Sequence, residues 1–133
     1  MNLQDKYTAI FSAKQDDVDN LTNLLNNDKL ASYLTDEVHC EFVRAVGVYN
    51  GGEELSFVVH TNSNRVVRQI EDHVFEAYNQ ECILVSNNRK HEISLNSVSG
   101  RRKVIGSTFK YSLKQPNANN YTVLNGVDFY TVY

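Results

Sequence analysis

Asn50-Gly51 stands between two runs rich in β-branched and aromatic residues, His39 to Tyr49 and Glu53 to His60. Asn-Gly adopts the positive-φ conformations of a tight hairpin turn at little cost, so the flanking runs are predicted to pair antiparallel. That hairpin restricts the chain to folds with a central antiparallel sheet. On either side of it the apolar period changes. Lys6 to Ser12 (KYTAIFS) is predicted as a first strand, and Asp16 to Tyr33 as a helix. The helix carries Val18, Leu21, Leu24, Leu25 and Tyr33 at helical spacing. After the hairpin, Thr61-Asn62-Ser63 offers N-caps for a second helix, Asn64 to Tyr78. Its stripe is Val66, Val67, Ile70, Val74, Phe75 and Tyr78. Glu81 to Ser86 and His91 to Leu95 are read as strands around an Asn87-Asn88 turn.

This order is the β-α-β-β-α-β sequence of a ferredoxin-like sheet. Thr108 to Leu113 alternates, and Tyr121 to Tyr133 is predicted as a hairpin around Asn125-Gly126. The expected class is therefore α+β, a ferredoxin-like sheet with a C-terminal β-hairpin extension, in one domain over 1–133. Two helices on one face of a four-stranded sheet leave its other face bare. The C-terminal hairpin, another subunit, or both are expected to cover it.

Composition narrows the function. The chain holds 13 Lys and Arg against 16 Asp and Glu, a net charge of −3. Its cations cluster only at Arg101-Arg102-Lys103, with Arg89-Lys90 nearby. A nucleic-acid surface needs a broader basic face, so this run reads as a solvated loop after Gly100 and no nucleic-acid partner is expected. A mildly acidic chain suits a cationic small molecule better. No apolar run approaches the roughly 20 residues that span a bilayer. Met1 to Lys6 lacks a secretory apolar segment, so no membrane partner is expected and the cytoplasm is the expected location. Cys40 and Cys82 sit in apolar strand-like segments and read as small core residues. His39, His60, His73 and His91 lack ligand spacing, so neither metal nor cofactor is expected. No phosphate loop, nucleophile elbow or dinucleotide fingerprint is present.

The residues that ask for an explanation are Tyr49, Glu53, Glu54 and Gln80. Two adjacent acids opening an apolar strand cost stability wherever they become buried. Strand alternation places Glu54 and Ser56 on one face and Leu55, Phe57 and Val59 on the other. Glu54 is thereby presented by a rigid element, suited to holding a positively charged ligand. The residues alone leave two readings open: exposed turn acids and a polar helix end, or a ligand anchor with a polar companion. Convergence of Glu54 and Gln80 would be natural across a subunit boundary.

At these positions the chain resembles the phage S-adenosylmethionine hydrolase/lyase family, and the resemblance runs over most of its length. The first strand ends in Ser12-Ala13, a Gly-x-Tyr strand end (Gly47, Tyr49) leads to Glu53-Glu54, and a long helix follows. Gln80-Glu81-Cys82-Ile83-Leu84-Val85, Gly106-Ser107 and the closing aromatic hairpin are also similar. The loop from Tyr49 to Glu53 is shorter than in that pattern. The resemblance implies a lyase, formerly called a hydrolase, that cleaves S-adenosylmethionine to methylthioadenosine and homoserine lactone. The substrate's own carboxylate attacks its γ-carbon. By matching position, Glu54 and Gln80 are the catalytic residues, and Glu53, Tyr49, Ser12 and Ala13 bind substrate. Glu54 would hold the α-ammonium as an anchor, not as a general base. The resemblance further implies a homo-oligomer, a trimer in particular, with sites between subunits. Its biological purpose would be depletion of the host's methyl donor in the host cytoplasm, countering restriction-modification. The alternative is a non-catalytic ferredoxin-like small-molecule binding module, or a phage inhibitor that uses its sheet face on a host protein.

Overall fold

A computed structural model describes residues 5–49, 51–118, 120–124 and 128–132, with the backbone alone for Tyr49 and for 128–132. Nine strands and two long helices follow one another along the described chain. They are β1 (Tyr7–Phe11), α1 (Asn20–Tyr33), β2 (Val43–Tyr49), β3 (Gly52–Thr61), α2 (Asn64–Tyr78), β4 (Cys82–Asn87) and β5 (Glu92–Ser97). β6 (Arg102–Gly106), β7 (Phe109–Ser112), β8 (Asn120–Leu124) and β9 (Asp128–Val132) complete the series. The strands form a single sheet in the order β6-β5-β4-β1-β3-β2-β8-β9-β7, each pair antiparallel. The class is α+β.

The predicted hairpin is β2–β3, in register from Val43 opposite Val58 to Tyr49 opposite Gly52. Gly51 has φ of +84°, the conformation that favours glycine in the turn. Asn50, like Asn125-Gly126 in the second expected turn, lies outside the described residues. α2 matches its predicted span. Ser63 caps it by accepting from the Val66 amide, and Asn79 closes it in the left-handed region at φ 51°. Four residues of its stripe, Val67, Ile70, Val74 and Tyr78, are buried.

α1 departs from expectation. It begins at Asn20, capped by Asp19, whose carboxylate accepts from the Thr22 amide at 2.7 Å. Asp16 and Asp17 therefore belong to the loop between β1 and α1. Leu21, Leu24 and Leu25 are more than half exposed, while the buried positions are Asn27, Leu30 and Ala31. The helix continues into a π-helical turn, Leu34–Val38, which ends at left-handed His39. His39 and Cys40, the first residues of the predicted second strand, instead close that turn, Cys40 donating its amide to the Leu34 carbonyl at 3.1 Å, and β2 starts at Val43.

Alternation along the central strands divides the core. Ala9, Phe11, Phe57, Val59, Ile83 and Val85 face the helices and meet Leu30, Leu34, Ile70 and Val74. Phe57 is wholly buried, with its ring 6.0 Å from Phe11, edge-on to Phe42 at 5.4 Å and beneath the Arg44 guanidinium. On the opposite face Ile10, Ala45, Val58 and Leu124 form a smaller cluster, with Leu84 and Phe109 packed against it.

Those last contacts show what covers the face that four strands would leave bare. β6 and β7 lie at the two ends of the sheet order, yet only Ser107 and Thr108 separate them in the chain. Three Cα steps span at most about 11 Å, so the two edges must approach each other. The sheet consequently curls into an unclosed barrel around the face that bears Ile10, Val58 and Leu84. The basic run after Gly100 enters this edge: Arg102–Gly106 is a strand, not a loop, although Arg102, Lys103, Val104 and Ile105 are exposed. Edge pairing uses the backbone, so no burial pattern announced it.

Replacing Phe57 with Ala should destabilise the fold by about 3–5 kcal/mol in denaturant titration. Leu21→Ser should change it by less than about 0.5 kcal/mol. A large loss from Leu21→Ser in a monomeric sample would contradict the exposed helix face described above.

Candidate functional site

Curling of the sheet encloses a half-open cavity of about 950 Å³ on its inner side. That volume lies within the roughly 300–1,000 Å³ range of ligand sites. Ile10, Leu84, Leu95 and Phe109 give it an apolar floor. Ser12, Glu54, Ser56 and Thr122 add polar groups from β1, β3 and β8, and Gln80 joins them from the end of α2. β3 supplies Glu54 as the alternation predicts, two residues from buried Ser56. Ser56 Oγ donates to the Glu54 carbonyl at 3.2 Å, fixing the backbone at that point.

The other wall is the segment from Ser12 to Asp17, which leaves β1 and reaches α1. Ser12 is buried and donates from its hydroxyl to the Leu55 carbonyl at 2.8 Å, while accepting from the Lys14 amide at 2.9 Å. Lys14 Nζ donates to the Glu53 carbonyl at 3.2 Å. Gln80 Nε2 donates to the Lys14 carbonyl at 2.7 Å and to the Tyr78 carbonyl at 3.2 Å. Two carbonyl oxygens beside one amide require its NH₂ to face them. What Gln80 retains for a ligand is therefore Oε1, an acceptor.

Charge on the lining is one-sided. Among the described lining residues, Asp16, Asp17, Glu54 and Glu81 contribute four carboxylates, against the single ammonium of Lys14. A cleft of this kind, with low-dielectric walls, concentrates cations. Cys82 registers the same field. Burial pushes its thiol up, and the Glu81 and Glu54 carboxylates push it further, since each disfavours a neighbouring thiolate. Cys82 is exposed on the cavity wall, not a core residue as the sequence suggested. Cys40 is only half-buried, and burial raises its thiol as well.

The residues singled out from sequence separate into two groups. Ser12, Glu54 and Gln80 lie on one cavity within one chain, so their convergence needs no second subunit. Ala13 is buried in the helix-side core, and Glu53 is exposed on the strand face opposite Glu54. Tyr49 ends β2, its backbone paired with Gly52 and Asn120, and its side chain lies outside the described residues. Sequence reasoning missed Asp16 and Asp17 because it placed the helix start too early, and Lys14 and Gln15 because their place depends on hydrogen bonds from α1 and the end of α2. Asp19 followed by a polar first turn was the signal for the later start.

A curled α+β sheet with an acidic cavity between a strand entrance and a helix end offers the size and charge that suit a cationic small molecule. The S-adenosylmethionine lyase family model matches residues 9–132, and the chain belongs to that family. Comparison with curated proteins gave no match. Membership carries the family's substrate, S-adenosylmethionine, and its reaction type, a lyase, at the level of the family. No helix among the described residues is long and apolar enough to cross a membrane.

Because the thiolate is the reactive species, Cys82 should be alkylated by iodoacetamide more slowly at pH 8 than an unhindered thiol, and faster in Glu54→Gln. Peptide mass mapping of the two proteins measures this. Equal rates in both would separate Glu54 from Cys82.

Proposed function

We propose that this protein cleaves S-adenosylmethionine to methylthioadenosine and homoserine lactone, with the substrate's carboxylate as nucleophile. A carboxylate oxygen forms the bond to Cγ as the Cγ–S bond breaks. The electron pair leaves on sulfur, the sulfonium becomes a neutral thioether, and no proton has to move. The protein's task is then geometric. Folding the methionyl chain so that carboxylate and Cγ meet turns an extended cation into a near-attack conformer.

The observation that carries this reading is the pairing of two acceptors, the Glu54 carboxylate and Gln80 Oε1, on the wall of an anionic cavity. Glu54 anchors the α-ammonium and leaves the substrate carboxylate unpaired and free to attack. Gln80 accepts from a second donor of the ligand without adding charge. The apolar floor excludes water around groups whose opposite charges cancel in the transition state. Ser12 braces β3 beside Glu54 through the Leu55 carbonyl, Ala13 packs behind it in the helix-side core, and Glu53 and Tyr49 are kept as substrate-binding residues by their matching positions in the sequence. The framework is read as ferredoxin-like, extended by the C-terminal strands.

The proposal extends to a homotrimer, for which the exposed Leu21, Leu24 and Leu25 supply apolar surface that a subunit contact would cover. It extends also to a role in depleting a host cell's methyl donor, in the host cytoplasm, against restriction-modification.

Incubation of the purified protein with S-adenosylmethionine should release methylthioadenosine and homoserine lactone, resolved by chromatography. Glu54→Gln should lower kcat/KM by about 10- to 100-fold, the worth of a charge-assisted hydrogen bond, with an unchanged circular dichroism spectrum. Unaltered turnover would remove Glu54 from the mechanism, and binding without products would favour a sequestering module.

Salt supplies an independent check on the charge argument. Raising ionic strength to about 0.5 M should lower kcat/KM for the cationic substrate and leave inhibition by neutral methylthioadenosine nearly unchanged. A parallel salt response for both ligands would refute electrostatic selection by the cavity.

A further inference from the structure

Three carboxamide side chains converge on two residues of the cavity wall. Asn23, in the first turns of α1, accepts from the Gln15 amide through Oδ1 at 2.9 Å and donates from Nδ2 to the Gln15 carbonyl at 3.0 Å. Asn79, the left-handed residue closing α2, donates from Nδ2 to Gln15 Oε1 at 3.1 Å. Gln80, next in sequence, holds the Lys14 carbonyl. Lys14 and Gln15 have left β1 and lack the strand partners that would satisfy their backbone groups. The reciprocal Asn23 pair replaces those bonds and fixes Gln15 at both its donor and its acceptor. Asn23 is itself held, because its amide donates to the Asp19 carbonyl at 3.1 Å and the Asp19 side chain caps the same helix.

We infer that Asn23, which does not line the cavity, is a positioning residue for substrate binding, acting through Gln15 to set the Ser12–Asp17 wall. This rests on the proposed S-adenosylmethionine site and adds to it a residue outside that site. The physical argument concerns ordering. A wall segment that must be ordered when the ligand arrives subtracts that cost from affinity, whereas one clamped beforehand does not. Glu54 sits on a strand and needs no such help, so the chemical step should be insensitive to the clamp. Affinity should respond to it.

In Asn23→Ala, KM for S-adenosylmethionine should rise about tenfold with kcat held within about twofold, reflecting the two lost neutral hydrogen bonds. Asn23→Asp keeps the acceptor for the Gln15 amide and loses the donor, so its KM should fall between wild type and Asn23→Ala. Hydrogen exchange gives a readout apart from turnover: the Gln15 amide should lose protection in Asn23→Ala while the amides of the α1 interior keep theirs. If Asn23→Ala fails to fold, Asn23→Asp decides by the same two measurements. An unchanged KM with Gln15 deprotected would overturn the inference and leave the lyase reading intact. A kcat loss equal to the loss in kcat/KM would overturn it as well. Should the wild-type protein bind S-adenosylmethionine without cleaving it, the lyase reading fails alone and the Kd from calorimetry takes the place of KM. No binding at all would refute both.

Discussion

A two-residue link governs this structure. Ser107 and Thr108 join strands that sit at opposite ends of a nine-strand hydrogen-bonded order, and a chain so short cannot cross an open sheet. The sheet has to bend until its edges are neighbours. Bending gives the inner face its cavity, brings Ile105 and Phe109 onto one wall, and lets Leu124 close over Ile10 and Val58. The outer face is left to the helices, where Phe57, Ile70 and Leu34 are among the fully buried side chains. A longer connection would permit an open sheet, and the surface that now lines the cavity would instead face solvent.

The cavity combines two kinds of support. Glu54 and Ser56 are held by strand pairing, which fixes backbone position at every residue. The Ser12–Asp17 wall lacks that ladder and is held by side-chain amides instead, each satisfying a backbone group that would otherwise need water. Placing rigid and clamped elements opposite each other suits the proposed reaction, in which the substrate supplies its own nucleophile. The protein's contribution is then confinement, charge and the removal of water, and the one-sided charge of the lining serves that end. Under that proposal a cationic sulfonium enters with favourable electrostatics, and a neutral thioether product leaves without them.

Much of the fold was legible along the chain. The β2–β3 hairpin and α2 were readable because Asn-Gly and the Ser63 cap act over a few residues and a strong amphipathic stripe reinforces them. α1 was harder. Its leucines at helical spacing are exposed and its buried face includes Asn27, so the pattern that usually marks the core here marks surface. β6 was missed because an edge strand with exposed Arg102, Lys103, Val104 and Ile105 carries no burial signal. Of the site, Glu54 followed from strand alternation. The lining by Asp16, Asp17 and Cys82 did not, since each depends on where the loop and the barrel edge come to rest.

Sequence by itself determined the order of elements from β1 to β5, the face on which Glu54 is displayed and, through resemblance of short motifs, the family to which the chain belongs. These are local or pairwise properties: turn preference, apolar period, residue identity at matched positions. Tertiary structure decided that Glu54 and Gln80 share one cavity within a single chain, that the bare sheet face is closed by the chain's own C-terminal strands, and that Gln80 offers an acceptor. Each of those depends on the curvature of the whole sheet or on a hydrogen bond between residues more than sixty positions apart, as for Gln80 and Lys14. No local preference encodes such a distance. It is fixed only when the edges of the sheet are drawn together and the loop after β1 is caught between the two helices.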